Sequence, residues 1–331
     1  MNDELWRWDA TQIAEAIKLG RISSREAVSA SLERLAAVNG AVNAVTVVLT
    51  EEALATADQA DHDLRSGKPL GPLHGVPVTI KENVDQAGKA TTNGVAAFKD
   101  LIAETDSPPA ANWKRAGAIV IGRTNTPAFS LRWHTDNELH GATMNPWDRT
   151  RTPGGSSGGA AASVALGITS LAHGNDYGGS IRYPAYCCGL AGIRPTLGRV
   201  PAFNATAPDE PSISIQMFSV QGPLARRVRD VRLGLAAMSA PDMRDPWWVP
   251  APQRGPEPSP SDTRGADGGS GSGGCRPLGG RRSSRGHRSR TRGLCGRRSR
   301  AARRRSGRPA DVADRDDRNT SYDRADDAQT R

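Results

Sequence analysis

Long apolar runs are missing from this chain of 331 residues. No stretch of 18 apolar residues occurs, which excludes a membrane-spanning helix of ordinary length. The start, Met1-Asn2-Asp3-Glu4-Leu5-Trp6, is acidic and has no apolar segment, so no secretory signal is read there. Cysteine is scarce. Of the four, Cys187 and Cys188 are neighbours and Cys275 and Cys295 lie far off, which gives neither a disulfide framework nor metal-ligand spacing. A reducing, cytoplasmic setting is the expectation. Histidine is sparse too, and none of His62, His74, His134, His140, His173 and His287 stands at metal-ligand spacing from another. His74 is read as a satisfied loop residue. Aromatic residues make up only 5% of the chain, and Trp113, Trp133 and Trp147 are expected to serve packing.

Lysine is absent from residues 251–331, which hold 20 arginines and 10 acidic residues. Residues 1–250 hold 24 basic and 25 acidic side chains. The net charge of +9 therefore comes from the end of the chain, and the rest is nearly neutral. A basic surface suits nucleic acid or an anionic membrane, but that inference reaches only the last segment. There Leu278, Leu294, Val312 and Tyr322 are the only large apolar or aromatic side chains. Such a composition cannot offset the entropy of ordering. The chain is thus read as a domain at 1–250 and a disordered Arg/Gly/Ser/Pro tail at 251–331.

Residues 9–19 carry helical spacing, with Ile13, Ala16 and Ile17 on one face and Gly20 as the stop. Ser23 and Glu26 form a capping-box pair that opens a helix to about Val38. Strands are predicted at 45–49, 76–80 and 118–121, the last followed by Gly122, and helices at 51–64, 160–167 and 229–238. Alternating strands and helices predict an α/β layer structure with a mixed or parallel sheet.

Two glycine-flanked serines stand 24 residues apart. One lies in Gly154-Gly155-Ser156-Ser157-Gly158-Gly159, the other in Asp176-Tyr177-Gly178-Gly179-Ser180-Ile181-Arg182. A serine hydroxyl is a weak nucleophile and needs a base. Lys81, after the apolar run Val76-Pro77-Val78-Thr79-Ile80, supplies one if burial removes its charge. Ser180 is the candidate nucleophile, Ser156 the proton relay and Lys81 the base. Backbone amides of Tyr177, Gly178, Gly179 and Ser180 are the candidate oxyanion donors, because glycine lets a substrate approach the main chain. Asp176 and Arg182 are read as struts of the loop. The G-x-S-x-G pattern at 154–158 lacks the strand that a nucleophile elbow needs, since residues 148–153 are polar and end in Pro153. Gly269-x-Gly271-x-x-Gly274 has no strand before it and is not read as a dinucleotide site.

These motifs resemble the amidase signature family of serine hydrolases, over roughly residues 5–238. The resemblance rests on Gly154-Gly155-Ser156-Ser157-Gly158-Gly159, on Asp176-x-Gly178-Gly179-Ser180-Ile181-Arg182, and on Gly122-Arg123-Thr124-Asn125-Thr126-Pro127 and Asn145-Pro146-Trp147. Arg194-Pro195-Thr196 stands where the family has Lys-Pro-Thr, and Lys81-Glu82 where it has Lys-Asp. The resemblance implies a Ser-cisSer-Lys triad of Ser180, Ser156 and Lys81, which hydrolyses a carboxylic amide through an acyl-enzyme without metal or organic cofactor. It implies the amidase signature fold, a mixed sheet of about 11 strands between helices. The partners expected are a small-molecule amide and a second copy in a homodimer, with no metal, membrane or nucleic acid. Family members run well beyond this length. The lysine-free, arginine-rich tail matches an out-of-frame reading of GC-rich DNA, so a frameshift or truncation near 251–260 is expected, with the C-terminal part of the fold missing. Two other readings are a glutaminase subunit of a tRNA-dependent amidotransferase and a non-enzymatic protein that binds through its basic tail.

Overall fold

Burial along the third strand alternates between two faces, and that alternation sets the layers. The computed structural model describes residues 4–207 and 210–251. The described elements belong to the compact unit Met1–Ser261, while the second unit, Asp262–Arg331, lies outside the described residues. The expected tail, its predicted disorder and the Gly269–Gly274 pattern also lie outside them, Ala251 excepted.

Helix α1 (Ala10–Lys18) starts at Asp9, whose carboxylate accepts from Gln12 N at 2.9 Å while Gln12 Oε1 accepts from Asp9 N. Helix α2 (Ser24–Val42) opens on the expected box, with Glu26 N donating to Ser23 Oγ at 3.0 Å and Ser23 N donating to Glu26 Oε2 at 2.7 Å. It runs one turn past Val38. Asn39-Gly40 reads as a stop, yet the helix ends at Asn43 in the left-handed region, φ 54°. Asn39 Oδ1 then accepts from Ala44 N and Val45 N and steers the chain into β1 (Val45–Val48). Helix α3 (Thr50–Arg65) lends Asp61, which accepts from Ser24 N and Arg25 N at the start of α2.

The later elements are β2 (Pro77–Lys81), α4 (Pro108–Arg115), β3 (Ile119–Thr124), α5 (Gly158–Ala165), β4 (Leu171–Asp176), α6 (Arg182–Cys188), β5 (Ala191–Gly192), α7 (Ile213–Phe218), β6 (Val220–Ala225) and α8 (Val228–Met238). The six described strands form one sheet in the order β1-β3-β2-β4-β6-β5. The central pairs β3/β2 and β2/β4 are parallel, and the outer pairs are antiparallel. The expected mixed sheet between helices is what forms.

Val120 joins Val78 and Ile80 against Ile13 and Ile17 of α1, Trp113 of α4 and Val231 of α8. Ile119 and Ile121 face Val28, Leu35, Ala57 and Ala162 instead. On β2 the same period of two turns Thr79 and Lys81 away from Val78 and Ile80. Thr79 Oγ1 meets Ser163 Oγ of α5 at 3.4 Å, so Lys81 shares the face that α5 covers. A third cluster packs Ala160, Ala161 and Val164 of α5 on Ala172, Ile181 and Leu224.

Candidate active site

Lys81 ends β2 and Asn175 and Asp176 end β4, so the chemistry gathers where adjacent parallel strands finish, the usual crevice of an α/β sheet. The register Val78↔Leu171 and Thr79↔Ala172 brings the two ends together. The segment before α5 lies over them. Ser156 follows a cis peptide bond after Gly155. A side chain on Gly155 would strike Arg132 O and His134 N at 2.6 and 2.7 Å, so only glycine lets the Trp133 segment lie against it. Thr135 Oγ1 donates to Gly154 O at 3.0 Å and accepts from Gly158 N at 3.1 Å, bracing both sides of Ser156.

Lys81 is fully buried, and its Nζ lies 2.7 Å from Ser156 Oγ and 2.6 Å from Asn175 Oδ1. Burial drives its ammonium pKa well below the ordinary 10.5, against the pull of the Asp176 charge. A neutral amine there donates to Asn175 and turns its lone pair to the Ser156 hydroxyl. Asn175 is held in turn by donating to Asn83 Oδ1 at 3.0 Å. Lys81 N donates to Nδ1 of His173 at 3.3 Å, which leaves Nε2 to donate to Gln221 at 2.9 Å. Burial depresses His173 to about 3, the Gln221 bond opposes that, and Lys81 and Arg123 add to it, so the ring is neutral.

The second serine sits in a loop built on one carboxylate. Asp176 accepts from Gly179 N at 2.8 Å, Ile181 N at 3.1 Å and Arg182 N at 3.3 Å, and from the Arg182 guanidinium at 2.9 and 3.0 Å. Burial disfavours its charge, but these bonds outweigh burial and hold it at about 2. Asp176 and Arg182 are thus the struts expected. Ser157 N donates to Ser180 O at 3.2 Å, which ties the two serine loops together. Ser180 is 6% exposed and Ser156 1%.

The amides named as oxyanion donors differ in their bonding. That of Gly179 is taken by Asp176, so it shapes the loop from within. The amides of Gly178 and Ser180 have no acceptor among the described residues. A side chain on Gly178 would meet nothing within 4 Å, so the crest of the loop is open.

Glu82, beside Lys81, points elsewhere. Burial resists its ionisation, yet His140 at 2.7 Å and the hydroxyls of Thr92 and Thr46 keep its carboxyl below its ordinary value. His74 is satisfied by Ala60 O at 3.0 Å. Trp113 packs as expected, fully buried and donating to Gly234 O. Trp133 and Trp147 do not: they are 66% and 71% exposed. A tryptophan in a loop gives no sequence sign of its burial. Among the described residues no group of His, Cys, Asp or Glu could hold a metal ion, and no helix is long and apolar enough to cross a membrane. Asn175 was missed in the sequence. Its one signal is its place directly before Asp176, on a strand that ends at the loop.

A mixed sheet covered by helices, with a buried amine and two serines at the ends of its parallel strands, defines an α/β protein with a serine-lysine cluster. The chain belongs to the Amidase family, whose sequence profile matches residues 26–268. It is 58% identical over 254 residues to an indoleacetamide hydrolase of Bradyrhizobium diazoefficiens, covering 77% of this chain and 48% of that protein. It is 39% identical over 258 residues to a subunit of the glutamyl-tRNA(Gln) amidotransferase of Rhodopirellula baltica, covering 77% of this chain and 50% of that one. The structure of a bacterial aryl acylamidase of the amidase signature enzymes superposes with a TM-score of 0.68 at 34% identity, covering 74% of this chain and 50% of that chain. The chain spans about half the length of the curated relatives it matches.

Proposed function

We propose that this chain is an amide hydrolase acting through an acyl-enzyme on Ser180, with residues 1–250 as its amidase part. The carrying observation is the buried contact of Lys81 Nζ with Ser156 Oγ at 2.7 Å, at an amine whose charge burial disfavours. Ser180 Oγ attacks the amide carbon. Its proton passes to Ser156 Oγ as the Ser156 proton passes to Lys81 Nζ. The oxyanion takes the amides of Gly178 and Ser180, with Gly179 and Tyr177 completing the loop that shapes the site. Lys81 returns its proton through Ser156 to the leaving nitrogen, and ammonia or an amine departs. Water then repeats the sequence against the Ser180 ester and frees the acid. No metal or cofactor takes part in this scheme.

The substrate proposed is an arylacetamide of the indoleacetamide kind, supported by 58% identity to an indoleacetamide hydrolase. The glutaminase reading has weaker support, at 39% identity. A role carried by the basic segment alone draws no support from the site. A cytoplasmic setting fits the adjacent free thiols Cys187 and Cys188. A homodimer belongs to the same proposal and is tested by light scattering on the eluting protein. Ammonia release from indole-3-acetamide tests the chemistry. Ser180→Ala and Lys81→Ala should each lower it by about a thousandfold or more. Undiminished release from Ser180→Ala would remove Ser180 as nucleophile.

A further inference from the structure

Three exposed aromatic rings and the half-buried Tyr183 border the Ser180 loop. Trp133 is 66% exposed, and a Cβ placed on Gly179 would come within 4.0 Å of its Nε1. Its ring leans on Tyr183 at a centroid distance of 6.0 Å. Tyr183 is fixed to the loop, because its N–H donates to Gly179 O at 2.7 Å. At the other end Tyr177 is 48% exposed and Phe218 is 56% exposed, and the two rings meet edge to face at 6.4 Å. Tyr177 stands three residues before Ser180 and Tyr183 three after it. Gly178 follows Tyr177 and precedes Gly179 in the loop, and a side chain on it would meet no heavy atom within 4 Å.

Large rings left in water beside a vacant glycine crest forgo the burial that usually fixes aromatic residues. A flat apolar ligand laid on the crest would supply it, and would place its amide over Ser180. We infer that Trp133 with Tyr183 and Tyr177 with Phe218 form two aromatic walls that select a planar aryl acyl group over an aliphatic one. The inference rests on the proposed amidase reading for the orientation of the ligand and names the residues that choose it. Trp133, 66% exposed, is the most exposed of the four rings and so the wall most open to a ligand.

The test is equilibrium binding by calorimetry to Ser180→Ala protein, with indole-3-acetamide and propionamide as probes. The parent should favour the aryl amide by about ten-fold or more. Adding Trp133→Ala or Phe218→Ala should bring that ratio down toward unity, and Trp133→Phe should keep most of it. Trp133 is a surface side chain, and a circular dichroism spectrum matching the parent establishes that each variant folds. A ratio unchanged within about two-fold in both alanine variants overturns the inference, as does a parent with no preference for the aryl amide. Binding is read without turnover. Selective binding in a protein that releases no ammonia would leave the walls standing and remove the amidase reading. Ammonia release without selectivity would do the reverse.

Discussion

At the scale of single residues, the proposed mechanism makes the amine of Lys81 the group that sets the pH behaviour. Its ammonium pKa lies well below 10.5, chiefly through burial. In the proposed scheme Lys81 must be neutral to act as base, so kcat/KM should rise with pH along an acid limb set by Lys81 and placed far below an ordinary lysine. Asn175→Asp sets a negative charge beside Nζ, favours the ammonium, and should move that limb to higher pH. Asn175→Ala removes an acceptor from the charged amine and should move it to lower pH, with a smaller maximum because the lone pair is no longer aimed. A pH profile of kcat/KM for the three proteins checks both signs. Asp176 acts on stability. Its carboxyl sits at about 2 against an ordinary 3.8, a depressed folded value. Its contribution, about 2 kcal/mol, is present in full above pH 4 and lost as pH falls through 2. Urea titrations of the native chain and Asp176→Asn should therefore differ at pH 7 and converge in acid.

At the scale of elements, close backbone approach decides more than side-chain bonding. α5 reaches the sheet because its first turn is glycine. A methyl on Gly159 would lie 2.5 Å from Asn125 N and 2.6 Å from Ala44 O, both main-chain atoms that cannot yield. Gly159→Ala should lower the melting temperature by about 5 °C or more, read by differential scanning calorimetry. Legibility also divides by element. Ser23 with Glu26, the apolar face of α1 and the β-branched run of β1 announce themselves through local chemistry. β4 does not, since Leu-Ala-His-Gly-Asn-Asp is buried throughout and shows no alternation of polar and apolar residues. β6 carries Gly222-Pro223, which reads as a turn, yet Pro223 stands in mid-strand opposite His173. α4 begins on Pro108-Pro109, a loop signal that also suits the first turn of a helix. The residues of the proposed triad could be picked out in the sequence because glycine-flanked serines and a lysine after an apolar strand are local patterns. Asn175 and the exposure of Trp133 were not, because each depends on what a distant segment brings beside it.

At the scale of the whole molecule, apolar surface is left over. α7 is Ile-Ser-Ile-Gln-Met-Phe and buries none of its residues, with Ile213 at 68% exposure. Trp247 and Val249 are exposed as well. Such surface binds hydrophobic dyes and promotes association when salts are excluded from the protein surface. The chain should enhance the fluorescence of anilinonaphthalene sulfonate while folded. Ile213→Ser with Ile215→Ser should reduce that signal and raise the ammonium sulfate concentration at which the protein precipitates.

The burial of Lys81 bears on how the molecule fails. The charge of the amine is disfavoured only while tight packing of α5 on β2 and β4 keeps Nζ buried. A slight swelling that still leaves the helices wound would hydrate it, favour its proton and silence the proposed base. Catalysis would then report on the tightness of the interior, and in rising urea the rate should collapse before the helical circular dichroism signal begins to fall.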